Sequence, residues 1–301
     1  MINVYEQVDR NKTRSAIIMV LFVFLITLAG FFLGRFLGFG LSGVGLALIL
    51  ASLMSLGSYF FSDRVILAIS GARPADKKRD FHFFTVTENL AMASQISMPK
   101  LYVIEDSAPN AFATGRDPEH AVVCATTGLL EKLNRTELEG VVAHELSHIK
   151  NYDIRLMSIV TVLVGMVTLL ADWFLRSLRY GGRNKNREGN QIQAVFLLVG
   201  LLLALLSPLV ARLMQLALSR QREFLADASA SMLTRYPEGL AKALEKIAAD
   251  KEPLEAANKA TAHLYIVNPL KNHHDRIGWF ASLFNTHPPA GERIKALRGM
   301  T

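Results

Sequence analysis

The sequence predicts a mainly α-helical membrane protein, in which transmembrane helices carry an α+β domain built on a small sheet. Three observations predict it. Hydrophobic residues make up 51% of the 301 residues, and they are bunched into long runs instead of being spread along the chain. Between two pairs of such runs lies a more polar stretch with short β-branched segments, among them Lys100-Leu101-Tyr102-Val103-Ile104. That stretch ends in Val141-Val142-Ala143-His144-Glu145-Leu146-Ser147-His148, whose two histidines recur at helical spacing.

Composition narrows the partners. The formal net charge is +7, and most basic residues flank apolar runs, which suits contact with the anionic head groups of a lipid bilayer. No nucleic-acid motif is present, so nucleic acid is not an expected partner. Cys124 is the only cysteine, which excludes an intrachain disulfide, and in Ala121-Val122-Val123-Cys124-Ala125 it reads as a core residue.

In chain order, residues 1–14 are polar, with Arg10, Lys12 and Arg14, and read as a cytoplasmic N-terminal segment. Apolar runs at 16–33 and 41–61 follow, and each reaches the ~20 residues a membrane helix needs, so residues 15–62 read as an uncleaved transmembrane hairpin. Gly43, Gly45, Ala47, Ala51, Ser52, Ser55 and Gly57 allow its second helix to pack closely. Arg64, Arg73, Lys77, Lys78 and Arg79 follow the hairpin while its connection holds only Arg35. The positive-inside rule therefore puts both outer ends, and the domain that follows, in the cytoplasm.

Residues 63–153 read as the first part of that domain, with a helix at 85–93 and strands at 100–104, 111–114 and 121–126. Thr136 and Glu139 match a capping box that starts the next helix, and Leu138, Val141, Val142 and Leu146 can seat it on a core. Residues 154–214 hold a second hydrophobic pair, at 154–175 and 194–210. Arg176, Arg179, Arg183, Lys185 and Arg187 crowd the loop between them, on the side that positive-inside logic leaves poor in charge. Two further spans and a partly inserted pair both remain open, and two spans are expected, because water does not suit so long an apolar run. Residues 215–301 read as the second part of the domain, with helices around 219–227, 237–250 and 256–263.

The chemistry lies in His144-Glu145-Leu146-Ser147-His148. Histidines four apart stand one above the other on a helix, so both rings can reach one metal ion, with Glu145 beside them as a base. A catalytic zinc keeps three protein ligands, and Glu223 in Ser219-Arg220-Gln221-Arg222-Glu223-Phe224-Leu225-Ala226-Asp227 is the candidate for the third. Asp227, one turn further on, can hydrogen-bond a ligand histidine. One Zn2+ per chain is the expected cofactor, and a polypeptide the expected substrate.

These residues, together with Thr286-His287-Pro288-Pro289, Arg293-Ile294 and the order of the hydrophobic spans, resemble the HtpX heat-shock membrane metalloproteases and, more distantly, the type I prenyl-protein endopeptidases of the same gluzincin clan. The resemblance covers nearly the whole chain. It implies a zincin-like α+β catalytic domain, a zinc endopeptidase of the cell inner membrane with its active site facing the cytoplasm, and a quality-control role in the stress response on misfolded or damaged membrane proteins, with self-cleavage as a further possibility. It also assigns an edge strand that pairs with substrate backbone to Asn110, Ala111, Phe112 and Ala113, although Asn110 and Gly115 can equally be turn residues. His287 can serve as a catalytic donor to a developing oxyanion or as a loop residue, and Arg293 is expected to order that turn. Three other readings stand beside this one: a zinc-stapled scaffold or holdase, a prenyl-protein-processing enzyme, and an intramembrane protease. The charges of Arg135, Glu137, Glu139, Lys150 and Asp153 disfavour the last. Preferred cleavage residues and oligomeric state are not legible.

Overall fold

Two long apolar helices open the chain, α1 (Val4–Leu37) and α2 (Gly40–Ile69). The computed structural model describes residues 4–37, 40–180, 220–256, 261–267 and 288–300. Over Val8–Phe32 and Val44–Ile69 these helices are long and apolar enough to cross a membrane, and only 22% and 17% of their apolar windows are buried. Exposed Val20, Phe24, Leu46, Ile49, Leu53 and Phe60 give them an outer surface suited to lipid, unlike that of a buried core helix. The sequence puts the end of the second span near residue 62, but α2 runs on to Ile69. Ile66 and Leu67 in that extension are buried against the sheet, which explains why the helix does not stop at the charged Asp63 and Arg64.

After β1 (Arg73–Pro74) come α3 (Phe81–Ser94), β2 (Lys100–Ile104), β3 (Ala111–Gly115), β4 (Ala121–Thr126) and the short α4 (Thr127–Lys132). The sheet order is β1-β2-β4-β3. β2 and β4 are parallel, with Leu101 opposite Val123, whereas β3 runs antiparallel to β4, with Phe112 opposite Cys124. β3 is therefore an edge strand. Gly115 closes β3 at φ 138°, a conformation open to glycine, and a Cβ there would meet the His120 carbonyl.

Both faces of the sheet are covered, so β3 and β4 are buried along their whole length and show no inside–outside alternation. Leu101, Val103, Ala113 and Val123 face one hydrophobic cluster with α3 and the next helix, α5 (Arg135–Lys150). Ile104, Phe112, Val122 and Cys124 face a second cluster, in which Ile18 and Phe22 of α1 and Ile66 of α2 meet Leu156, Ile159 and Leu163 of α6 (Asp153–Tyr180). The sheet thus lies between the helix that carries the histidines and the ends of the membrane helices. α6 is one continuous helix whose first three turns are core; the run at 194–210 lies outside the described residues.

The start of α5 corrects the capping box expected from the sequence. Asn134 is the cap: its side chain accepts from the Glu137 amide at 3.0 Å, and the Glu137 carboxylate accepts from the Asn134 amide at 2.9 Å. Asn caps at least as well as Thr, and Lys246 holds Glu137 at 2.7 Å, while Glu139 is drawn to Arg135 at 3.0 Å. Three further helices complete the described fold: α7 (Arg220–Thr234), α8 (Pro237–Ala249) and α9 (Ala290–Arg298). α8 crosses α5 where Gly140 approaches the Leu240 backbone; a Cβ there would lie 2.6 Å from the Leu240 nitrogen. Only a short 3-10 turn, Ala262–Leu264, forms in the described part of the helix expected at 256–263.

Candidate active site

α5 is enclosed by α3, α7, α8 and the sheet, so its residues from Glu137 to Ile149 are almost all buried, polar ones included. His144 and His148 face α7, which brings Glu223 and Asp227 to them, and Glu145 is buried close enough for its charge to act on His148. The rings of His144 and His148 lie edge to face with centroids 4.7 Å apart, and their Nε2 atoms are 3.2 Å apart. Glu223 reaches both, with Oε1 3.5 Å from Nε2 of His148 and Oε2 3.8 Å from Nε2 of His144. One ligand atom from each of the three falls within 4.8 Å of the others, close enough to hold one metal ion.

Each ring is fixed from behind by a carboxylate. Asp227 Oδ1 accepts from Nδ1 of His144 at 2.9 Å, and Asp153 Oδ2 accepts from Nδ1 of His148 at 3.0 Å. With the Nδ1 atoms so engaged, both Nε2 atoms turn toward the same point, and two neutral imidazoles would oppose lone pairs there. A cation resolves that opposition, and two nitrogens with one carboxylate are a donor set that suits zinc. The residues fit the metal.

The electrostatics carry the same message. Burial pushes the pKa of His144 down to about 4, helped by the adjacent Arg293 cation. Burial acts on His148 in the same sense, but the Asp153 hydrogen bond and the charges of Glu223, Asp153 and Glu145 outweigh it and lift His148 to about 9. Of the two rings, His148 is thus the one whose surroundings favour a proton, and its Nε2 lies 3.2 Å from that of His144. Burial would raise Asp227, yet the Arg293 guanidinium beside it holds the carboxyl below its usual range.

Of the residues singled out in the sequence, the structure brings together His144, Glu145, His148, Glu223 and Asp227. His287 lies outside the described residues. Asn110, Ala111, Phe112 and Ala113 lie at the edge of the sheet, but part of that edge is already used. Ile266 donates its amide to the Ala111 carbonyl at 3.0 Å, Asn110 Nδ2 donates to the Val267 carbonyl at 2.9 Å, and at the far end the Gly115 amide donates to Ser158 Oγ at 3.1 Å. Among the described residues, the outward amide and carbonyl of Ala113 have no such partner.

Arg293, expected to order the turn at 286–289, reaches into the site, and residues 286 and 287 of that turn lie outside the described residues. Arg293 is buried, donates through Nε and Nη2 to both Asp227 oxygens at 2.8 and 2.6 Å, and its Nη1 lies 3.4 Å from Glu223. Asp153 was not singled out as a site residue, because an acid at the start of a helix is ordinary in sequence.

Comparison with known proteins agrees with this geometry. The sequence model of peptidase family M48 matches residues 78–301. The chain belongs to peptidase family M48. Proteins named Protease HtpX homolog are similar to this M48 peptidase over nearly its whole length. The one from Dictyoglomus turgidum is 45% identical over 296 residues, which is 98% of this chain and 94% of the relative. The one from Tropheryma whipplei is 45% identical over 298 residues, which is 98% of each. The crystal structure of S. mikatae Ste24p aligns with a TM-score of 0.48 at 20% identity, covering 97% of this chain and 66% of that one. The M48 peptidase is thus a membrane metalloprotease of the HtpX type, as its sequence predicts, with a mainly helical fold and a small mixed sheet.

Proposed function

We propose that the protein is a zinc endopeptidase of the cytoplasmic membrane that hydrolyses peptide bonds in cytoplasmic segments of misfolded or damaged membrane proteins. The observation that carries this reading is the convergence of His144, His148 and Glu223 within 4.8 Å, with Glu145 buried beside them. In it, His144 and His148 hold the zinc through Nε2 and Glu223 through a carboxylate oxygen. When bound, the ion supplies a Lewis acid that polarises a carbonyl and acidifies water. Glu145 accepts a proton from the attacking water and passes it to the leaving amine nitrogen as the C–N bond breaks. Asp227 and Asp153 keep both rings in the tautomer that leaves Nε2 unprotonated, and Arg293 keeps Asp227 ionised.

The substrate enters as an extended strand along β3 and pairs with the outward amide and carbonyl of Ala113, a contact that makes little demand on side-chain identity. Because β3 is buried, entry displaces the chain that covers that edge. The basic residues at the outer ends of the α1–α2 hairpin support the cytoplasmic side. The contacts between the first turns of α1 and the corner after α5 support a site near that membrane surface.

The test uses vesicles in which the protein has one orientation, with an unstable membrane substrate carrying a cleavable loop on either face. Cleavage confined to the loop beside the N-terminus supports the reading, and cleavage on the opposite face or within the bilayer contradicts it. A prenylated peptide cleaved in preference to both would favour the processing enzyme instead.

A further inference from the structure

Asn11 is a polar residue with no exposed surface, near the start of a membrane helix and 142 positions before the aspartate it touches. Its Nδ2 donates to Asp153 Oδ1 at 2.7 Å and to the Asn151 carbonyl at 2.9 Å, and its Oδ1 accepts from Arg222 Nη1 at 3.3 Å. The other Asp153 oxygen, Oδ2, is the one that accepts from His148. Arg222 also approaches Asp153 Oδ1, at 3.4 Å, and is next in sequence to Glu223. One amide therefore braces α1 against the corner that supplies the partner of His148 and against the helix that supplies Glu223.

The corner itself is strained and docked on the same helix. Tyr152 adopts φ 58°, a left-handed conformation uncommon for an aromatic residue. Lys12 Nζ lies over its ring 4.5 Å from the centroid, and the Arg155 guanidinium 4.9 Å from it. Residues 11 and 12 both precede the 78–301 segment that matches the peptidase family, so this support comes from the membrane anchor and not from the peptidase region.

We propose that Asn11 is a positioning residue of the metal centre: by fixing one oxygen of Asp153 it aims the other at His148, which makes the first membrane helix part of the zinc site. The inference rests on the proposed zinc ligands. Without the Asn11 amide, Asp153 can rotate so that both oxygens turn to Arg222, and His148 loses the partner that holds its ring.

The experiment measures zinc affinity by chelator competition on the full chain in detergent, for wild type, Asn11→Ala, Asp153→Ala and the double variant. Loss of a partner behind a ligand weakens metal binding about 10–100-fold, so Asp153→Ala falls in that range and Asn11→Ala, one step further out, falls about tenfold. Because Asn11 acts through Asp153, the double variant binds zinc within about twofold of Asp153→Ala alone. Full additivity would mean that Asn11 only stabilises the fold, and unchanged affinity in Asn11→Ala would mean that it does nothing for the site; either overturns the inference. Asn11→Ser and Asp153→Ser complete the same cycle if an alanine variant does not fold. Wild type that binds no zinc sinks the metal reading itself, and this inference with it, which separates the two failures.

Discussion

Replacing Arg293 with methionine tests how the buried charges of the site depend on one another. The guanidinium is 1% exposed, makes two short bonds to Asp227, and donates to the Ile266 carbonyl at 3.0 Å. Methionine fills much of the volume but leaves the fully buried Asp227 carboxylate facing only His144. Breaking a buried ion pair from one side costs about 3–5 kcal/mol. At roughly 2–4 °C per kcal/mol for a unit of this size, the metal-free protein melts about 10 °C lower. Arg293→Lys keeps the charge without the two-pronged geometry and falls between. Arg293→Met combined with Asp227→Asn leaves no unpaired charge, so it recovers most of the lost stability while zinc stays about 10–100-fold weaker than in wild type. Thermal melts by circular dichroism and chelator competition on the same samples read both quantities. A single Arg293→Met variant that melts within about 2 °C of wild type would refute the reasoning, since the buried pair would then contribute little.

Zinc binding displaces the proton held by His148. With His148 lifted to about 9, zinc added at pH 7.5 releases close to one proton from this ring, besides any given up by the bound water, whereas two ordinary imidazoles would release about 0.2 between them. Calorimetry in buffers of different ionisation enthalpy measures the total release, and a total well below one proton per ion contradicts the proposed coupling. The metal-free protein has a stability optimum from the same two groups. His148, raised in the folded state, contributes fully below about pH 6.5 and loses that contribution as pH rises toward 9. His144, lowered in the folded state, contributes fully above about pH 6.5 and loses it as pH falls toward 4. Melting temperatures across that range, taken with chelator present, should therefore peak near pH 6.5 as far as these two groups decide it, and a peak that is the same with zinc bound counts against the assignment. Gly140→Ala forces a Cβ to within 2.6 Å of the Leu240 nitrogen and should cost about 1–3 kcal/mol by prying α8 from α5. A melt that does not change would mean that this crossing is looser than its geometry.

The parts of the site legible in the sequence are those with a fixed spacing. His144 and His148 are one helical turn apart, as are Glu223 and Asp227, so periodicity puts each pair on one helix face, while Glu223 stands out only together with the histidine motif and the resemblance. The capping box was displaced by two residues because Thr136 and Glu139 fit the same pattern as Asn134 and Glu137, and the contacts of Lys246 with Glu137 and of Arg135 with Glu139 separate them. Arg293, Asp153 and Asn11 have no such spacing. Arg293 meets Asp227 across 66 residues and Asn11 meets Asp153 across 142, and in one sequence each looks like an ordinary charged or polar residue at the end of a helix. Three of the four strands were found and the two-residue β1 was not, and burial of the sheet on both faces was missed because that depends on where α1, α2 and α6 return. α2 outran its expected end for the same reason.

The central claim is that His144, His148 and Glu223 hold a zinc ion that serves hydrolysis with Glu145 as the base. The most direct measurement takes wild type and Glu145→Gln from detergent and records bound zinc and cleavage of an unfolded protein on the same preparations. The account predicts one zinc per chain in both and cleavage by wild type alone. Equal zinc with equal cleavage would contradict the role of Glu145, equal zinc with no cleavage by either would favour a structural zinc that only staples α5 to α7, and no zinc in either would contradict the site.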